Sequence, residues 1–265
     1  MTKKNIITLL LIGFTLQAAQ SQVLISLLLG DKLNTEKLKF GLEGGYNLSN
    51  ITNLESAKAA SNFNLGFYFD ILLKENTNWY LHTGVIVKST MGAKIDSYTL
   101  DNESLNAVLE DADVRRKINL FSIPINARYK FKNNVFIEAG PMLGWMLKKS
   151  HDEFTETDFE NEDGELQYQN KIKDNYHTLD LGAQVGIGYQ LKAMNNMCLA
   201  VKYYHGVIDT KKDNLGDPQY NTSFYVVASI PIGAGEKAKA KNAEAAAKRA
   251  AKKAENEKKK LQQKL

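Results

Sequence analysis

The chain is poor in the residues that build most catalytic and metal centres. It has one cysteine and four histidines in 265 residues. Cys198 has no partner for an intramolecular disulfide, and it lies too far from the N-terminus to carry a lipoprotein anchor. There is no Cys/His cluster with metal-ligand spacing and no GxGxxG-like phosphate turn. Long apolar runs are missing as well. Residues 6–16 are apolar but fall short of the about 20 residues that a spanning helix needs. They follow Lys3 and Lys4 and precede the small and polar AAQSQ, so residues 1–22 read as a signal peptide. A mean hydropathy of −0.35 does not mark a membrane protein. A transmembrane barrel strand, however, shows only half of its side chains to lipid.

Charge of one sign is concentrated at the end. The segment 236–265 carries +7 and the leader +2, which leaves −5 on the rest of a chain whose net charge is +4. On an exported protein, a basic tail behind a slightly acidic body is not a nucleic-acid-binding pattern.

What the chain does have is period-two alternation. In FIEAGPMLGWML, residues 136–147, Ile137, Ala139, Pro141, Leu143, Trp145 and Leu147 share an apolar face. Phe136, Glu138, Gly140, Met142, Gly144 and Met146 share the other. Variants of this segment recur at 39–49, 63–73, 79–91, 118–131, 177–191, 197–207 and 222–232, which makes eight predicted strands. The turns 74–78, 132–134 and 192–196 are short, whereas the connections 50–62, 92–117, 148–176 and the one before 222 are longer and polar. Pro124 cannot donate to a ladder, so irregular pairing is expected there.

Short turns alternating with long loops are the habit of bacterial outer-membrane barrels, with the short turns periplasmic. Aromatics sort by depth into Trp79, Tyr129, Phe131, Phe136 and Tyr189 at one end and Tyr46, Phe63, Trp145, Tyr203 and Phe224 at the other. Two such girdles are expected of a barrel spanning a bilayer. The predicted fold is all-β: an eight-stranded antiparallel up-and-down transmembrane β-barrel with a C-terminal helical tail. A soluble sandwich is the competing fold.

KFGLEGGYNLSNI (39–51), SIP (122–124), IEAGPMLGWML (137–147) and GAQVGIGYQL (182–191) carry a resemblance to the small PorT-like outer-membrane barrels of Bacteroidota. The resemblance covers about residues 33–233 and implies an exported eight-stranded barrel without a defined biochemical activity. The segment after Gly233 departs from that family's usual ending near the last strand.

Inward positions hold Glu43, Asp70, Glu138 and Asp180 with His82, Lys88, Arg128 and Lys202. Of these, Glu43, Asp70, His82, Arg128 and Glu138 lie near one end and form the expected interior charge network. An eight-stranded barrel is just wide enough for side chains to fill. Charges in it must pair, so a salt-bridge plug is expected rather than an ion path. Interior glycines, Gly66, Gly84, Gly140, Gly182, Gly186 and Gly188, should leave room for the long side chains.

His151, His177 and His205, with Ser89, Ser150 and Asp180, are the candidates for a rim enzyme acting on lipid A. No spacing pins a triad. The acidic run 151–165 lacks the calcium-loop spacing and is expected to be solvated. No cofactor is expected.

The expected organisation is signal peptide 1–22, lead segment 23–38, barrel 39–233 and basic helical periplasmic tail 234–265. The lead segment could be an amphipathic piece at the barrel mouth or an extension of the leader. The expected location is the cell outer membrane. The expected partners are its lipid and lipopolysaccharide and, through the tail, peptidoglycan or a periplasmic protein, but no nucleic acid. A non-enzymatic structural or interaction role leads. A lipid A enzyme and a soluble periplasmic binding barrel are the alternatives.

Overall fold

The computed structural model describes residues 35, 37–96, 109, 112–156, 166–212 and 217–232. The predicted signal peptide, the helical tail and most of the lead segment lie outside these residues, as does 157–165 of the acidic run. Residues 41–230 form one compact unit. Just outside it the Ile232 N–H donates to Phe40 O at 3.0 Å.

Eight antiparallel strands make the wall: β1 (Leu38–Ile51), β2 (Ala57–Leu72), β3 (Trp79–Ile95), β4 (Asp113–Lys130), β5 (Val135–Met146), β8 (Leu179–Leu191), β9 (Met197–Gly206) and β10 (Asn221–Pro231). Two shorter strands, β6 (His151–Glu156) and β7 (Leu166–Lys171), form a hairpin on the outer end of β4. Sheet order runs β3-β2-β1-β10-β9-β8-β5-β4, and β3 pairs with β4 to close the ring. Closure leaves no unpaired edge among the wall strands, as a bilayer requires.

The alternation places the side chains as predicted on most strands. Leu48, Leu65, Phe121, Ile137, Val185, Ile187, Leu199, Val201, Phe224, Val226 and Ile230 are exposed on the outside, a band that only lipid covers favourably. The girdles are largely present: Trp79 packs on Tyr129 at 5.0 Å and Tyr129 on Phe131 at 4.9 Å, and at the far end Tyr46 meets Phe63 at 5.5 Å. Phe136 is a correction. It is fully buried inside the barrel, because it shares the phase of Glu138.

A second correction concerns β3. Its register to β4 shifts between Ile86 and Ser89, so Val87 and Lys88 both face outward. One extra residue flips the phase of everything beyond it. The inward set changes from His82 and Gly84 to Ser89, Met91, Ala93 and Ile95. Lys88, expected inside, is instead exposed, with its Nζ 5.4 Å from the Phe63 ring centroid. No register shift falls at Pro124, contrary to expectation: towards β3 the register is the same at Thr83↔Ile125 and Ile86↔Ser122. Towards β5 the register is the same at Pro124↔Met142 and Ala127↔Ala139.

The bulge also alters the lumen. Met91 and Ala93 join Ile51, Ile118, Leu120, Met142 and Met146 in an apolar plug. The third correction is the long loop. His151–Glu156 and Leu166–Lys171 continue the wall, and Phe154 packs with Ile95, Val114 and Leu109 in a small core of its own.

Candidate functional site: the interior charge network

Glu43, Asp70, His82, Arg128 and Glu138 come together in the lumen, with Lys130 and Lys202 among them. Arg128 is the hub. Its Nε donates to Glu138 Oε2 at 2.6 Å and its Nη1 to both oxygens of Asp70 at 3.0 and 3.1 Å. The guanidinium also lies 4.3 Å from the centroid of the Phe136 ring. Asp70 accepts from Lys130 Nζ at 2.8 Å and meets His82 Nδ1 at 2.7 Å. On the other side of the lumen Lys202 Nζ donates to Glu43 Oε1 at 2.7 Å and lies 3.2 Å from Glu138 Oε1. Ser229 donates to Glu43 Oε2 at 2.6 Å.

The register explains the meeting. Asp70↔His82 and Arg128↔Glu138 are direct cross-strand partners, and His82↔Asn126 sets the first pair against the strand of the second. Asn126 Nδ2 in turn donates to Gln184 Oε1 at 2.8 Å. Beside Lys202, Gly186 leaves the needed space: a Cβ there would sit 3.1 Å from Lys202 Cγ and 3.2 Å from Glu138 Cγ. Gly188 does the same for Phe136, whose Cζ would be 2.2 Å from such a Cβ. Gly66, Gly84 and Gly140, by contrast, lie closest to the backbone of the next strand, so they serve close strand approach rather than side-chain room.

Every wall strand thus contributes a side chain or a gap, from Glu43 on β1 to Ser229 on β10. Three carboxylates (Glu43, Asp70, Glu138) face three cations (Arg128, Lys130, Lys202). His82 lies between them: its Nδ1 meets Asp70 Oδ1 at 2.7 Å, and its Nε2 is 3.4 Å from both Lys202 Nζ and Glu43 Oε2. A paired, hydrogen-bonded set is the form in which buried charge is tolerated.

Lys130 was not among the predicted site residues, although it shares the phase of Arg128 and signalled itself that way. Lys202, predicted inward, joins the network. Asp180 does not. It accepts from Tyr204 OH and Asn221 Nδ2, both at 2.9 Å, in a separate polar cluster. A further pair was missed: Arg116 Nε and Nη2 each donate to Asp152 at 2.7 Å, and its Nη1 donates to Tyr176 OH at 2.7 Å. Asp152 and Glu153 of the acidic run therefore face cations of β4, Arg116 and Lys117, instead of water alone.

The rim candidates do not converge among the described residues. His151 Nδ1 meets Lys149 O at 2.7 Å and His205 Nδ1 meets Tyr203 OH at 3.4 Å. Ser150 Oγ bonds to the Leu147 and Asn119 carbonyls, while Ser122 Oγ donates to Ser89 Oγ inside the barrel. No serine–histidine–carboxylate chain is made. Among the described residues, no group of three or more His, Cys, Asp or Glu is placed to hold a metal ion.

A closed eight-stranded barrel with a lipid-facing apolar band and a filled lumen is an outer-membrane architecture. The chain belongs to the outer membrane protein beta-barrel domain family, which it matches over residues 18–212. It is an outer-membrane protein. Similar solved structures include the attachment invasion locus protein Ail of Yersinia pestis, at 13% identity and TM-score 0.34, covering 74% of this chain and 98% of that one. Neisserial surface protein A is similar at 14% identity and TM-score 0.38, covering 74% and 99%. OprG of Pseudomonas aeruginosa is similar at 13% identity and TM-score 0.32, covering 74% and 93%. No curated protein matches the chain.

Proposed function

We propose that this protein is a non-enzymatic outer-membrane barrel with a closed lumen, serving a structural or interaction role in the cell envelope. One observation carries the reading: the Arg128-centred network ties side chains of opposite walls together across the interior. The apolar plug around Met91, Leu120 and Met142 fills the lumen further out. A conduit would need hydrated space where these groups touch. The reading includes a leader of residues 1–22, a barrel of 39–233 and a basic periplasmic tail of 234–265. It also includes kinship with the PorT-like barrels of Bacteroidota, supported by the glycine-spaced motifs quoted above.

Two arms test it. Proteoliposomes should retain a trapped small sugar as well as protein-free liposomes do; leakage that rises with protein content overturns the closed lumen. Replacing His151, His177 and His205 together by Ala should leave the lipid A mass spectrum of intact cells unchanged. A lipid A species that vanishes in the variant overturns the non-enzymatic role.

A further inference from the structure

The bulge in β3 and the extension of β4 into the β6–β7 hairpin create a groove on the outside of the wall. It has a volume of about 630 Å³. Lys88, Arg115, Lys117, Lys148, Lys149 and Lys171 line it, and among the described residues no Asp or Glu does. Among the described residues Glu153 is paired with Lys117. Among the described residues Arg115, Lys148, Lys149 and Lys171 have no ion-pair partner. Arg115 stands between Lys94 on β3 and Glu153 on β6, and Glu153 is shared with Lys117, so cations outnumber carboxylates there. His151 also lines the groove, and its Nε2 is buried with no hydrogen-bond partner, 4.0 Å from Glu153 Oε1.

Depth decides what kind of anion fits. Along the outward face of β4 the side chains are Tyr129, Ala127, Ile125, Ile123 and Phe121, then Asn119, Lys117 and Arg115. The switch at Asn119 marks the outer edge of the apolar band, with Trp145 of the girdle opposite Phe121. The groove begins at that edge, since Asn119 and Phe63 are part of its lining. Below it on the same strand lies an apolar depression of about 430 Å³ lined by Phe121, Ile123, Leu143, Trp145 and Leu179. A cationic groove at headgroup level above an apolar depression at acyl-chain level matches an amphiphile with an anionic head. A soluble phosphate would use only the upper half.

We propose that this face binds a phosphorylated lipid of the outer leaflet, with its phosphates on Lys148, Lys149, Lys171 and Arg115 and an acyl chain against Phe121 and Trp145. The proposal rests on the outer-membrane placement and is independent of the closed lumen.

The test uses the full chain in a zwitterionic detergent, titrated with bisphosphorylated lipid A, dephosphorylated lipid A and inorganic phosphate. Lys148→Gln/Lys149→Gln/Lys171→Gln should bind lipid A at least tenfold more weakly than wild type, and added salt should narrow the gap because exposed charges are screened. The all-Arg version of the triple variant should bind like wild type. Lys74→Gln/Lys132→Gln/Lys192→Gln, on the opposite rim, should also bind like wild type, and heat-modifiable mobility should confirm that all variants are folded. Dephosphorylated lipid A should bind weakly and equally to both Gln variants. Equal lipid A affinity of wild type and the groove variant overturns the site. Displacement of lipid A by micromolar inorganic phosphate overturns the lipid as its ligand. A leaky barrel would leave these outcomes unmoved.

Discussion

Arg128→Ala is the sharpest perturbation of the interior. The substitution removes the 2.6 Å bond to Glu138, both contacts to Asp70 and the stacking on Phe136. It leaves three carboxylates facing Lys130 and Lys202 alone. Breaking a buried ion pair by removing one partner costs ~3–5 kcal/mol. The survivors argue for the lower end of that range, because Asp70 keeps Lys130 at 2.8 Å and Glu138 keeps Lys202 at 3.2 Å. A loss of about 3 kcal/mol is roughly a hundredfold in the unfolding equilibrium. With a urea dependence of about 1–3 kcal/mol per molar, the midpoint should fall by about 1–3 M. Urea unfolding in lipid vesicles, followed by heat-modifiable gel mobility, reads this directly. Arg128→Ala/Glu138→Gln restores two cations against two carboxylates and should recover part of the loss, since residues in one network couple. A midpoint equal to wild type for Arg128→Ala would refute the reasoning, because it would mean that water screens these charges.

The other expectations concern the two ends. Phe154→Ala should loosen the outer hairpin, because Phe154 joins Ile95 and Val114 in the small core there; a Phe→Ala change in a core costs about 3–5 kcal/mol. Protease should then cut between β6 and β7 while the barrel keeps its heat-modifiable mobility, and an unchanged digestion pattern would contradict the packing role. Deleting residues 235–265 should leave insertion intact and abolish salt-sensitive co-sedimentation with purified peptidoglycan, a role argued from the +7 charge. Equal sedimentation of both forms removes that role.

The wall was legible in the sequence because alternation is a local property. Ile137 and Glu138 announce their faces without knowledge of any partner strand. The depth of the network was legible for the same reason, since position along a strand follows from its turn. Which charges touch was not, because Glu43 and Lys202 meet only through closure and register. The bulge at 86–89 was hidden by composition: Val85, Val87, Ser89 and Met91 continue a plausible alternation straight across it. Nothing local marks the inserted residue, so the alternation alone points Lys88 inward. The hairpin was hidden by charge. In HDEFTE the buried set is Asp152, Phe154 and Glu156, and two carboxylates around one aromatic look like a solvated run until Arg116 is known to stand opposite Asp152. Lys130 was readable from its phase, which it shares with Arg128 inside the predicted strand 118–131.

The most direct measurement of the central claim, a lumen closed by paired charges, is hydrogen exchange at the Arg128 side chain in bilayer-embedded protein labelled with ¹⁵N-arginine. The Arg128 Nε–H, buried and bonded to Glu138, should exchange far more slowly than that of the partly exposed Arg115, and Glu138→Gln should speed it. An Arg128 Nε–H that exchanges as fast as that of Arg115 would mean a water-filled interior and would contradict the account.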